Sequence, residues 1–140
     1  MREYTFLEIQ VGQMESFSKE ITLEMEEAFR RITGDENPLH REDAFAEATG
    51  KFKKHVAFGM LTASILSTLA GVYLPGKYSL IHSIDNIRFR HPVYAGDVLT
   101  VTGTVAAKHE GLQLICLKVK MINQDGRLVL TADMKVLVQK

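Results

Sequence analysis

The feature that most constrains this chain is a nearly unbroken apolar run, Gly59 to Leu74, followed by about sixty residues of strand-like alternation. Met60, Leu61, Ala63, Ile65, Leu66, Leu69, Ala70 and Val72 go almost all the way round a helix, so that helix is expected to be buried. Gly71 and Leu74-Pro75-Gly76 close it. Strands are then expected over Tyr78 to Phe89, Val98 to Lys108, Leu112 to Asn123 and Leu128 to Val138. In the third of these, Ile115, Leu117, Val119 and Met121 alternate with Lys118 and Lys120. His91 to Asp97 reads as a turn, as does Glu110-Gly111, and Asp125-Gly126 carries a hairpin signal. One apolar helix and a run of antiparallel strands predict an α+β fold, a sheet wrapped round a central helix. Such a sheet leaves an edge strand and an open face, which a second copy would cover, so a dimer is expected.

The first half is more helical. Gln13 to Thr22 suggests an early strand. Thr22 can cap a helix whose first turns carry Glu24, Glu26 and Glu27, favoured at its positive end. Met25, Ala28, Phe29 and Ile32 keep helical spacing up to Gly34, which stops it. Asn37-Pro38 forces a turn, because the residue before proline leaves the helical region. A short helix is expected over Arg41 to Ala48, then an exposed Lys51-Phe52-Lys53-Lys54 loop.

Bulk properties exclude several classes. The chain has 140 residues, so a single domain over 1–140 is expected. Lys plus Arg, 17, equal Asp plus Glu, 17, and zero net charge argues against nucleic acid as the main partner. The one cysteine, Cys116, cannot form an internal disulfide. No basic-then-apolar leader opens the chain, and no stretch reaches the roughly 18 apolar residues of a membrane helix. A cytoplasmic protein with no membrane partner is expected. His55, His82, His91 and His109 are scattered without metal-ligand spacing, so no metal site is expected. Ser64 lacks the Gly-x-Ser-x-Gly surroundings of a nucleophile elbow.

Chemistry concentrates in Phe29 to Ala46. Gly34 frees the backbone after a helix, and Asn37-Pro38 makes a corner that can fold His40 back towards Asp35. A carboxylate and an imidazole facing one cavity would form an acid–base pair near neutral pH. The same residues also suit a plain turn, with Asp35 bonded to nearby amides. Spacing alone leaves both readings open.

The wording of the segment is more specific. Phe29, Ile32, Thr33, Gly34, Asp35, Asn37, Pro38, Leu39, His40 and Ala46 follow the order aromatic, aliphatic, Ser/Thr, Gly, Asp, Asn, Pro, aliphatic, His and a small residue. This resembles the hydratase-2 motif of the MaoC-like, (R)-specific enoyl-CoA hydratase family. Val56 to Leu61 resembles that family's glycine-led start of the central helix, and Arg88 to Asp97 its Phe, Pro-Val, Gly-Asp strand and turn. The resemblance implies a hotdog fold paired into dimers, and a hydro-lyase acting on acyl-CoA or acyl-carrier thioesters without metal or redox cofactor. It implies Asp35 and His40 as the catalytic pair and the Gly59 N–H as donor to the thioester carbonyl. Asn37 would hold the loop and help orient the pair. Members often carry His before the helix glycine; here it is Phe58, expected to shape packing or the acyl channel. Met60 and Leu61 are expected in the core, with acyl contact as a second role. The Lys51/Lys53/Lys54 cluster and Arg88/Arg90 read as solvated, or as partners for coenzyme phosphates or an acidic carrier protein. Thioester hydrolysis and non-catalytic acyl-CoA binding are the alternative functions.

Overall fold

A computed structural model describes all 140 residues. β1 (Met14–Glu20) leads into α1 (Leu23–Thr33), a short 3-10 turn (Pro38–His40) and α2 (Asp43–Ala48). The central helix follows in three parts: α3 (Gly59–Ser64), α4 (Leu66–Thr68) and a wider π-helical turn over Leu69–Tyr73. Then come β2 (Ser79–Phe89), β3 (Val98–His109), β4 (Leu114–Ile122) and β5 (Leu128–Val138). The five strands form one antiparallel sheet in the order β1-β3-β4-β5-β2, so β1 and β2 are its edges.

The inward faces of β3, β4 and β5 supply Leu99, Val101, Val105, Leu117, Met121, Leu130, Met134 and Val136, all fully buried against the central helix. Leu66 and Leu69 face them from the helix. Gly103 explains how closely the layers meet. A Cβ on Gly103 would lie 2.9 Å from a terminal methyl of Leu69, so glycine lets the helix sit against mid-strand. Gly76 is equally constrained: its φ is +87°, and a Cβ there would lie 2.1 Å from the Arg2 carbonyl oxygen.

Residues 1–12, to which the sequence assigned no element, close one end of the core. Phe6 and Ile9 are buried. Lys108 donates to the carbonyls of Phe6 (2.8 Å) and Ile9 (2.5 Å), and its ammonium sits 4.4 Å from the Phe6 ring centroid.

Several expectations shift for local reasons. The helix expected from Arg41 begins at Asp43, because Pro38–His40 form a separate turn closed by the Arg41 N–H on the Pro38 carbonyl. β4 starts at Leu114 and not Leu112, since Glu110–Leu112 coil into a 3-10 turn and Gln113 takes φ +49°. Ile32, in the helical stripe of α1, is 82% exposed. Glu26, one of the acids in the first turn of α1, is buried. The central helix is not buried all round either. Met60, Ser64 and Ser67, at i, i+4 and i+7, lie on an exposed stripe. That stripe faces a cavity.

Candidate active site

A cavity of about 710 Å³ opens between the central helix and β2. Phe29, Phe58, Met60, Leu66, Ile81, Ile84, Ile87 and Phe89 make its walls largely apolar. Asp35, His40 and Gly59 lie in the same lining.

The path from sequence to site is local. The Thr22 hydroxyl accepts from the Met25 N–H and starts α1. Gly34, at φ +72°, ends the helix with its N–H on the Arg30 carbonyl. The chain then turns sharply. Thr33 Oγ1 accepts from the Asp35 N–H at 3.2 Å, and Asp35 Oδ1 accepts from the Asn37 N–H at 3.0 Å. Asn37 Oδ1 accepts from the Leu39 N–H at 3.0 Å, capping the Pro38–His40 turn. The Asn37 side chain is thus spent on the loop, and Asn37 lies outside the cavity lining.

His40 is oriented from two sides. Its Nδ1 lies 2.7 Å from the Val56 carbonyl oxygen. A carbonyl only accepts, so Nδ1 carries the proton and a neutral His40 keeps its lone pair on Nε2. The Phe58 ring backs the imidazole at 4.6 Å between centroids, and Phe29 backs Phe58 at 5.0 Å. Phe58 is 2% exposed, so it is a wall and a brace together. Gly59 is the first residue of α3, where the N–H has no acceptor within the helix. Leu61 is buried in the core and does not line the cavity; it lies about a quarter-turn round the helix from the exposed stripe. Met60 is 61% exposed and does line it.

Sequence reasoning missed the β2 wall. Ile81, Ile84 and Ile87 are three residues apart, a spacing that puts alternate side chains on opposite faces of a regular strand. β2 is irregular: its pairing with β5 shifts between Ile81 and Ser83 and again between Asp85 and Arg88, with Asn86 at φ +55°. Each shift restores the next isoleucine to the cavity. An isoleucine at every third position of an expected strand was the available signal.

A smaller cleft of about 270 Å³ meets the main cavity at His40, Gly59 and Phe89, and runs past Phe52, Arg90 and His91. Of the basic residues singled out in the sequence, Arg90 borders this cleft, and its Nε donates to Thr131 Oγ1 at 3.1 Å. Lys53 and Lys54 instead sit 5.0 and 5.6 Å from the Tyr94 ring centroid.

Three comparisons with known proteins bear on the family and the fold. The family model for the MaoC like domain matches residues 8–126. The (R)-specific enoyl-CoA hydratase of Aeromonas caviae is 37% identical over 125 residues, covering 89% of this chain and 92% of that protein. A 3-hydroxybutyryl-CoA dehydratase of Methylorubrum extorquens is 36% identical over 106 residues, covering 76% of this chain and 66% of that one. Among solved structures, an R-hydratase from Pseudomonas aeruginosa in the unliganded form superposes with a TM-score of 0.88 at 29% identity, covering 97% of this chain and 86% of that one. The A. caviae (R)-hydratase structure gives 0.86 at 35%, covering 93% and 97%. The fold is the hotdog of these hydratases, and the chain belongs to the MaoC-like family.

No helix is long and apolar enough to cross a membrane.

Proposed function

We propose that the protein adds water across the double bond of trans-2-enoyl-CoA thioesters, giving (R)-3-hydroxyacyl-CoA, and catalyses the reverse dehydration. One observation carries this reading: Asp35, His40 and Gly59, the first residue of the central helix, line one largely apolar cavity. The names of the A. caviae and M. extorquens relatives support it.

The acyl chain occupies the apolar cavity, and the coenzyme leaves along the smaller cleft past Arg90. The thioester carbonyl accepts from the Gly59 N–H. One water sits between Asp35 and the Nε2 lone pair of His40. As its oxygen bonds to C3, the pair takes one of its protons and the π electrons move towards the thioester, leaving enolate charge on the carbonyl oxygen. That charge strengthens the Gly59 hydrogen bond in the transition state. The pair then returns its proton to C2 on the same face. Atoms balance as hydroxyl on C3 and hydrogen on C2, with no redox change over the two carbons.

Gly59 also has a steric reason to be glycine. An added Cβ would meet the Phe89 ring at 3.0 Å, and Phe89, 53% exposed, itself lines the cavity, so a ring that yields changes the cavity wall. Gly59→Ala is expected to lower kcat/KM about tenfold or more through a displaced carbonyl, the usual consequence of an ångström-scale misplacement. Its Tm is expected to change little, because the yielding ring is half-exposed. Steady-state kinetics beside thermal melts checks both.

A homodimer is part of the proposal. β2 bonds only to β5, so its other edge is open. Leu80 (55%), Ile84 (36%) and Phe89 (53%) are exposed along it. Light scattering is expected to give about twice the 15.7 kDa chain mass; the mass of a single chain would refute the dimer.

Crotonyl-CoA tests the activity. Loss of the enoyl absorbance without release of free thiol is the expected result. Free thiol would mean hydrolysis, and binding with neither change would mean an acyl-CoA-binding module.

A further inference from the structure

Away from the cavity, His55 lies between two carboxylates. Its Nε2 is 2.9 Å from Glu26 Oε2 in α1, and its Nδ1 is 2.5 Å from Asp43 Oδ1 at the start of α2. Carboxylates accept, so both ring nitrogens donate and His55 is an imidazolium. Its backbone N–H also donates to Asp43 Oδ1, at 2.9 Å. Glu26 is 2% exposed, and its second oxygen, Oε1, has no hydrogen-bond partner. A buried carboxylate so placed depends on the charge beside it. Burial opposes the charge on His55, but the hydrogen bonds and charges of Asp43 and Glu26 outweigh it and raise the His55 pKa above the ordinary value of 6.5. Hydrogen bonds from the His55 N–H and ring hold the Asp43 carboxyl below its ordinary value, with Lys54 adding to the effect.

The location gives the cluster its meaning. The residue after His55 is Val56, whose carbonyl fixes the His40 proton on Nδ1. The Val56 N–H in turn donates to the Leu39 carbonyl at 3.0 Å. α1, gripped at Glu26, runs on to deliver Asp35, and α2, gripped at Asp43, follows directly from His40. One side chain therefore ties together α1, α2 and the segment before Val56, which flank the loop carrying the proposed pair.

We infer that His55 is a positioning residue for His40, with Glu26 and Asp43 clamping its ring so that the neighbouring Val56 carbonyl holds His40 in the Nδ1–H tautomer. The kinetic consequence rests on the hydratase reading, whereas the tautomer does not.

The test uses 15N-labelled full-length protein at a pH where His40 is neutral. Wild type is expected to show His40 ring nitrogens with the proton on Nδ1. In His55→Ala the two signals are expected to move towards each other as the tautomers mix, with kcat down about tenfold and KM within about twofold. Asp43→Ala provides a milder variant, because that side chain is 60% exposed and its removal leaves the Glu26 contact to hold the His55 ring. It is expected to shift the signals the same way, with a smaller loss of kcat, and it carries the test if His55→Ala does not fold. Unchanged His40 signals and kcat, with only a lower Tm, would reduce the cluster to a tie between helices and overturn the inference. Signals that shift in a protein without hydratase turnover would uphold it and reject the activity instead.

Discussion

Asp35→Asn and His40→Gln are each expected to reduce kcat on crotonyl-CoA by at least about a hundredfold, within the usual range for a positioned acid–base group. Both substitutions are close in size to the native residue. Asp35 is exposed, and its Oδ1 contact to the Asn37 N–H survives in an asparagine that presents its carbonyl oxygen. The loop should therefore keep its shape while losing a proton acceptor. A glutamine at 40 can still donate to the Val56 carbonyl, but has no lone pair equivalent to Nε2. If the two groups share one proton transfer, the double variant should be little worse than either single one, since residues acting as a unit are not additive. Kinetics of all three variants, beside thermal melts that stay near wild type, checks this. A full-rate Asp35→Asn enzyme would remove Asp35 from the mechanism.

The largest expected effect on stability lies where the helix meets the sheet. Leu69 is fully buried with its methyls over Gly103. Leu69→Ala is expected to cost about 3 kcal/mol, from lost burial and the cavity left behind. For a chain of this length that lowers Tm by about 10 °C. Gly103→Ala should also destabilise, by about 1–3 kcal/mol, because the new methyl needs the space of a side chain that has nowhere to go. The two sites are coupled. Leu69→Val withdraws the terminal methyls that an alanine at 103 would strike. The double variant Gly103→Ala/Leu69→Val should therefore be at least about 0.5 kcal/mol more stable than the two single effects summed. Denaturant melts of the four proteins give the coupling energy. Strict additivity would mean that the helix does not rest on Gly103.

Much of this architecture was legible because periodicity and burial agree. The alternation of Ile115, Leu117, Val119 and Met121 sets the inward face of β4 correctly, since a regular strand has no other way to hide four large residues. The turn from Gly34 to His40 was legible for a different reason: Gly34 permits the left-handed backbone that ends α1, while Asn37 and Pro38 restrict the chain locally, so the corner needs no tertiary help. What escaped depends on contacts distant in sequence. Glu26 reads as one more acid in a helix's first turn until His55, 29 residues on, is found beside it. The β2 wall escaped because two bulges break the period of two on which strand reading depends. Met60 is expected in the core first and at the acyl chain second; its exposed stripe with Ser64 and Ser67 opens onto a cavity, and no local pattern distinguishes a cavity from a core. Residues 1–12 escaped because Phe6 and Ile9 are too few to show a period.

The most direct test of the central claim is hydration of crotonyl-CoA in D2O, followed by chiral and deuterium analysis of the 3-hydroxybutyryl-CoA formed. One water delivered and one proton returned by Asp35 and His40 on a single face predicts deuterium at C2 added on the same side as the hydroxyl, and the likeness to (R)-specific hydratases predicts the (R) configuration at C3. An (S) product, deuterium on the opposite face, or no turnover would contradict it.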